Sequence, residues 1–477
     1  MINLFEYQNK EDCGLSDEKL NEFESFLDDI WKTRNNYESQ SSVIETKIEQ
    51  QRFVQILHKN KQLKSNKYVG VIKYEDEVFN FLPKIFYEQN KKHNMEDVRV
   101  INLHILWWLK YCGKIHFPNY LTNLETTSCD FFDILIYLFS NYTKNLLSSL
   151  IYQKYEEIEN ELSFIKGRVD FSKYINENIS KGKWHKINCT FDSYDFDNSL
   201  NRVIKYVSKL LLSYTHNVEN KTNLREIIMI LDEVRDTIAT PEDCGNIRFN
   251  PLFENYNVVR DYCLLFLTNS ISFSYKNELK LFAFLLPMNS IFEGFITGFI
   301  EKEIPEIALK SQVTTHHLDT EKKFELRPDL ILEYNDHKII ADAKYKIILN
   351  ETNQQNKISV SDLYQVVSYS IRFEINHVIL FYPNTINNLD GIKKSSLSAD
   401  NLSNKSRIIK IKNEYLNDNI LVKIVFLPII NDLLFNVDTN IKQSLDTIFN
   451  TTKDTLKQKI LSEVSLFSNE VKYVSLE

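Results

Sequence analysis

Between Lys323 and Lys346 the chain reads KFELRPDLILEYNDHKIIADAKYK, and Asp329, Asp342 and Lys344 in it are types that can hold a hard cation beside an activated water. Two apolar runs, Leu330-Ile331-Leu332 and Lys338-Ile339-Ile340-Ala341, flank Asn335-Asp336, a pair suited to a tight turn, so the stretch reads as a β-hairpin. Side chains alternate across a strand, which puts Asp342 and Lys344 on one face and Ala341 and Ala343 on the other. Pro328 before Asp329 marks a strand start. The pattern is R-P-D, twelve residues, then D-A-K. Two carboxylates so placed can share a divalent cation through oxygen ligands, and a nearby lysine can orient or deprotonate a water. A lone D-x-K also arises wherever Asp and Lys face solvent, so the neighbouring elements decide its meaning.

Upstream, PMNSIFEGFITGFI (Pro287 to Ile300) has apolar residues at helical spacing and places Glu293 at the edge of the stripe. Downstream, DLYQVVSYSIRF (Asp362 to Phe373) is a second amphipathic helix carrying Gln365 and Tyr369, one turn apart. HVILFY (His377 to Tyr382) then reads as a buried strand closed by Pro383-Asn384. The polar stretch Asn350 to Ser359 is expected to form a loop between the hairpin and the second helix. The order is helix, hairpin, helix, strand.

That order and those residues resemble the PD-(D/E)XK nuclease superfamily, including the Q-x-x-x-Y helix of its RecB-like branch. More closely, the chain resembles the McrC family, the nuclease subunit of modified-cytosine restriction systems that works with a GTP-driven AAA+ motor. The likeness rests on PMNSIFEGF, LRPDLIL…ADAKYK and DLYQVVSYS, with weaker support from FLPKIF, KGRVDF and DFDNSLNRVIKYV, and spans about residues 68 to 383. The resemblance implies that Glu293, Asp329 and Asp342 are the acids and Lys344 the catalytic lysine. Gln365, Tyr369 and Arg327 would lie on the substrate side. Mg²⁺, with Mn²⁺ able to substitute, would bind between Asp329 and Asp342, with the Ala343 carbonyl a further candidate ligand. Double-stranded DNA and a McrB-like AAA+ GTPase hexamer are the implied partners, the motor engaging the β-rich region around Tyr68 to Phe86. Two rival readings are a stand-alone RecB-like exonuclease and a non-catalytic DNA-binding scaffold on the same fold.

Composition bounds these readings. The 477 residues allow two or three domains. The expected class is α/β: a C-terminal PD-(D/E)XK restriction-endonuclease-like core, a mixed central sheet flanked by helices, behind a β-rich and helical N-terminal half. The expected divisions are 1–125, 126–275 and 276–477. A net charge of −8 argues against strong unaided DNA affinity, because phosphate neutralisation dominates such affinity, and so points to another subunit that delivers DNA. The chain has no G-x-x-x-x-G-K-[ST]; Gly294 and Gly298 lie inside an apolar helix, so any nucleotide-driven motor is a separate chain. The six cysteines form no C-x-x-C pair, which suggests neither zinc nor a disulfide framework. The first residues lack a basic start and apolar core, and Leu279 to Ile300 is interrupted by Lys280, Pro287 and Glu293. A cytoplasmic, non-membrane protein is the expectation.

Elsewhere the sequence predicts a hairpin at Tyr68 to Phe86, and helices at Ser16 to Ile30, Asp97 to Tyr111, Asp130 to Ser140 and Leu146 to Leu162. Further helices are expected at Asp197 to Leu211, Leu224 to Ile238, Tyr256 to Leu267 and Asp438 to Phe467, so that the middle of the chain is mostly α. Trp107, Trp108 and His104 read as core rather than as a stacking platform or ligand. SKGKWHK, around Trp184, reads as a solvated basic loop. His316-His317, adjacent on a strand, point to opposite faces and suit no single ion.

Overall fold

The computed structural model describes residues 2–38, 54–74, 77–89, 91, 93–112, 131–245, 247–275, 278–314, 316–319, 321–348, 359–387, 407–413, 418–435 and 445–474. The loop expected before the Gln365 helix (350–358), residues 388–406, and the start of the last helix (438–444) lie outside the described residues. The chain divides into two compact units. Residues 1–134 and 269–477 form the first, and residues 135–268 the second.

The first unit is mixed α/β, and the hairpin sits in the middle of a six-stranded sheet. The order is Ala308–Ser311, Leu330–Tyr334, His337–Ala343, His377–Pro383, Asp418–Leu427, Arg407–Asn413. Asn335 and Asp336 both take positive φ, 50° and 64°, as a two-residue turn matched to strand twist requires. Tyr334 therefore pairs with His337, and Leu330 with Ala341. His337–Ala343 then pairs in parallel with His377–Pro383, which pairs in parallel with Asp418–Leu427. One face of this sheet buries Ile340, Val378, Leu380 and Val422 against Val366 and Tyr369 of the helix Val360–Phe373.

A five-stranded sheet in the same unit runs Ile2–Phe5, Glu77–Leu82, Tyr68–Tyr74, Glu278–Pro287, Ser270–Tyr275. The expected hairpin at Tyr68 is present, and strands some 200 residues later in sequence complete its sheet. Gly70 makes this possible: at φ +137° a Cβ there would stand 2.1 Å from the Phe284 carbonyl oxygen.

The helix Met95–Tyr111 starts on a reciprocal cap between Asn94 and Asp97 and buries Trp107 and Trp108. Trp107 stacks on Phe449 with centroids 4.7 Å apart. His104 is a core histidine: its Nδ1 donates to the Val100 carbonyl at 2.8 Å and its Nε2 accepts from Asn431 N at 2.9 Å. Burial pushes this imidazole down to about 4, so it is neutral. The helix Met288–Glu303 packs on the same helix through glycine. A Cβ on Gly298 would lie 1.7 Å from the Tyr111 carbonyl oxygen, whereas one on Gly294 would meet nothing nearer than the Cys112 Sγ, at 3.3 Å.

The second unit corrects one expectation. The helix that begins at Phe131 stops at Ser149, and Lys154–Leu162 is a strand. Tyr155, Ile158 and Leu162 have helical spacing, but nine consecutive pairings with Ile187–Asp195 override that local preference. With Arg168–Val169 these strands form a three-stranded sheet, so the middle of the chain is not simply helical. Helices Ser199–Tyr214, Val218–Ile230 and Tyr256–Asn269 follow, so the helix expected at Leu224 to Ile238 starts earlier and ends at Ile230. The DFDNSLNR stretch serves structure: Asn198 caps Asn201 N, and Asn201 Nδ2 donates to the carbonyls of Tyr152 (2.9 Å) and Phe196 (2.8 Å). Among the described residues no helix is long and apolar enough to cross a membrane.

The Gly298 contact yields a first prediction. Gly298→Ala gains helix propensity but forces two backbones apart, for a net loss of about 2 kcal/mol and a melting temperature lower by a few degrees. Gly294→Ala should be close to neutral. Thermal unfolding of the two variants checks this; equal melting temperatures would contradict the close approach.

Candidate active site

Asp342 lies on the central strand and is fully buried. Alternation brings Lys344 to the same face, where its Nζ stands 2.6 Å from Asp342 Oδ2. This is a close ion pair rather than a well-aligned hydrogen bond, and among the described residues no other donor reaches either Asp342 oxygen. Burial pushes the Asp342 carboxyl above its usual range, and Lys344 opposes that shift. Burial also works against the charge on Lys344, but Asp342 and Asp329 prevail and hold its ammonium above the ordinary lysine range. Lys344 is thus a cation throughout the neutral range.

Asp329 precedes its strand and turns inward: its Oδ2 accepts from Ala343 N at 2.8 Å, tying the two acid-bearing strands together. Burial raises the Asp329 carboxyl to about 7, with the Asp342 and Glu293 charges adding to the effect. Ala343 spends its N–H on that bond. Glu293, on the helix Met288–Glu303, is half-buried and reaches the site through Gln312, whose Nε2 donates to Glu293 Oε1 at 3.0 Å. The exposed Arg327 guanidinium donates to Gln312 Oε1.

The helix Val360–Phe373 closes the other side. Lys344 Nζ donates to Gln365 Oε1 at 2.9 Å, Gln365 Nε2 to Tyr369 OH at 2.7 Å, and Tyr369 OH to the Arg327 carbonyl at 3.1 Å. The other candidate site residues form two connected chains, Asp342-Lys344-Gln365-Tyr369-Arg327 and Arg327-Gln312-Glu293, while Asp329 and Ala343 are bonded to each other between the strands. His316 stands apart from these chains, its ring 4.2 Å from that of Phe373.

Sequence reasoning missed Gln312 and Asp362. Gln312 has φ +49° just past a short edge strand, and its N–H donates to the Asp329 carbonyl at 3.0 Å. No periodic pattern marks it. Asp362 is buried, accepts from Lys346 Nζ through both oxygens at 2.8 Å, and raises Asp342 further. Its position in the first turn of an amphipathic helix suggested a helix-start acid and hid the pairing.

Could these residues hold a cation? Among the described residues no three acids, histidines or cysteines are drawn together as a ready cluster. Yet Asp342 is a buried carboxylate with one cationic neighbour and, among the described residues, no other donor, and its charge raises the Asp329 carboxyl. Hard-oxygen donors left unsatisfied in this way fit Mg²⁺, which keeps several of its waters and needs few protein ligands.

The model of the "McrBC 5-methylcytosine restriction system component" family matches residues 63–383. Among solved structures, a chain from the Thermococcus gammatolerans assembly of McrB AAA+ hexamers with bound McrC is similar. It has a TM-score of 0.63 at 16% identity, over 97% of this chain and 99% of that one. A chain of the Thermococcus gammatolerans McrBC complex matches 63% of this chain and 87% of its own length, with a TM-score of 0.46 and 18% identity. No curated protein matches. With the family model spanning the five-stranded sheet's first hairpin, the acid-bearing strands and the Gln365 helix, the chain belongs to the McrBC 5-methylcytosine restriction system component family.

Proposed function

We propose that this chain is the McrC-type nuclease subunit of its restriction system: a Mg²⁺-dependent DNA endonuclease on a PD-(D/E)XK core, acting in the cytoplasm with a separate AAA+ GTPase ring. The observation that carries the reading is Asp342, a buried carboxylate on a central strand with Lys344 at 2.6 Å and close enough to Asp329 to raise its carboxyl. A surface D-x-K would be solvated and would not be linked to a Gln-Tyr helix.

Asp329 and Asp342 would hold the cation, with the Ala343 carbonyl as a further ligand and Glu293 supporting from the Gln312 side. When bound, the ion would supply Lewis acidity toward the phosphodiester and a lowered pKa for water. The protein's own residues do the rest. Lys344 is held as an ammonium by Asp342, so it enters the reaction as a cation that orients the nucleophile and offsets charge on the phosphate, not as a free base. Gln365 fixes the ammonium's position and is itself fixed by Tyr369. Arg327, exposed beside the site, is placed for the DNA backbone.

Delivery of DNA is the task of the partner. The chain has net charge −8 and no phosphate-cradling P-loop, so unaided affinity at physiological salt is weak and translocation must be powered elsewhere. The Thermococcus assembly, described as McrB AAA+ hexamers with bound McrC, supports a partner of that kind for this chain.

Three outcomes are expected. Asp342→Ala and Lys344→Ala should each lower cleavage by roughly a hundredfold or more while the chain stays folded. Only Asp342→Ala should lose Mg²⁺ binding, and Lys344→Arg should not rescue, since a planar fork differs from a compact ammonium. Wild-type cutting by folded Asp342→Ala would remove the assignment.

Metal binding should depend on pH. The Asp329 carboxyl sits at about 7 in the fold against 3.8 ordinarily, so between those values the folded chain keeps a proton that the unfolded chain has lost. The metal-free fold therefore loses stability as pH rises from 3.8 through 7. A cation replaces that proton, so Mg²⁺ affinity should rise by up to about tenfold per pH unit below 7 and level off above it. Calorimetric titration with Mg²⁺ from pH 5.5 to 8.5 measures this; a flat profile would contradict it.

Mixing the chain with its AAA+ partner, DNA and Mg²⁺ should give double-strand cleavage only with nucleotide present. Efficient cutting by the isolated chain, on linear DNA alone, would favour the exonuclease reading instead.

A further inference from the structure

The FLPKIF stretch has no place in the site described above, yet its lysine reaches the backbone of that site. Lys84 Nζ donates to the Tyr345 carbonyl at 2.9 Å and lies 4.5 Å from the Tyr345 ring centre. Tyr345 OH donates to Glu6 Oε2 at 3.0 Å, and the same oxygen accepts from Lys84 N at 3.2 Å. Glu6 is 1% exposed and Tyr345 4%. Glu6 itself is anchored to the N-terminal sheet by its N–H, which donates to the Leu82 carbonyl at 3.0 Å.

These contacts meet the chain where its strand stops. The strand His337–Ala343 ends one residue before Lys344, whose N–H to the Phe381 carbonyl, at 2.8 Å, is the last rung of the ladder. Lys346 N then bends back to the Lys344 carbonyl, also at 2.8 Å. Past Ala343 the backbone is therefore directed from outside: by Glu6 and Lys84 at Tyr345, and by Asp362 at Lys346. The Tyr345 ring also lies 5.8 Å from Phe292, the residue before Glu293.

Polarity here is costly. Burial pushes the Glu6 carboxyl up to about 7 and the Lys84 ammonium down. Buried polar clusters of this kind often contribute little net stability, and what this one adds is a single geometry at Tyr345.

We propose that Glu6 and Lys84 are positioning residues for Lys344: by fixing the Tyr345 hydroxyl and carbonyl, they make the N-terminal sheet set the place of the site's ammonium. The proposal rests on the nuclease reading for its effect on rate, but not for its effect on the backbone. Two measurements on the full chain with its partner test it, using Glu6→Leu, Glu6→Gln and the mild Tyr345→Phe. In amide hydrogen exchange, Glu6→Leu and Tyr345→Phe should speed exchange at Lys344 and Lys346 by roughly tenfold, leaving Ile331 to Ile340 protected. In DNA cleavage, the same two variants should lose kcat by roughly ten- to hundredfold, with KM unchanged within about twofold. Glu6→Gln, which still offers an oxygen to both donors, should restore both readouts.

Unchanged exchange at Lys344 and Lys346 in folded Tyr345→Phe and Glu6→Leu would overturn the proposal. So would faster exchange with wild-type kcat, which would leave the cluster a structural clamp. If the wild-type chain and partner cut no DNA, the nuclease reading fails, and the exchange data still decide whether the Glu6–Tyr345 contact fixes this backbone.

Discussion

One hydrogen bond, from Ala343 N to Asp329 Oδ2, sets the terms for the rest of the site. It ties the open end of the hairpin and holds the Asp329 carboxylate within electrostatic reach of the buried Asp342. Two like charges so confined repel, and burial removes the water that would screen them. The remaining features answer that repulsion. Lys344 lies against Asp342, Gln365 and Tyr369 keep the ammonium there, and the Asp329 carboxyl is held near 7. A divalent cation would meet the same need more completely.

The helix carrying Glu293 is under a different constraint. Gly298 lets it approach the Tyr111 carbonyl closely, and one and a half turns earlier Glu293 bonds to Gln312. Its depth against the Met95–Tyr111 helix is fixed by main-chain contact, so the acid has little freedom to slide along its axis. Position in this site is decided by backbone packing as much as by the polar contacts themselves.

Much of this was legible in the sequence. The Asn335-Asp336 turn, the alternation that pairs Asp342 with Lys344, and the four-residue step from Gln365 to Tyr369 are local signals, and local signals survive folding when tertiary contacts agree with them. Illegible features are those set by partners distant in sequence. The segment Lys154–Leu162 has helical spacing but pairs along its whole length with Ile187–Asp195. Gln312 gives no pattern because its role comes from a single positive φ and two neighbours brought in from other elements. Glu6 and Lys84 resemble ordinary surface charges until Tyr345 arrives more than 250 residues later.

The first unit is also discontinuous: residues 1–134 are completed only by residues 269–477. Its central helix holds Trp108 against the Ile429 carbonyl, 321 residues downstream. During synthesis, at about 5–20 residues per second, that helix emerges with two tryptophans and no finished core for roughly half a minute. The nascent chain thus displays this apolar helix long before it can bury it, while the second unit, wholly encoded between the two halves, is made in the interval. The order of the elements thus makes this helix wait on the end of the chain for its packing partners, and the candidate site is completed only after the second unit has been synthesised.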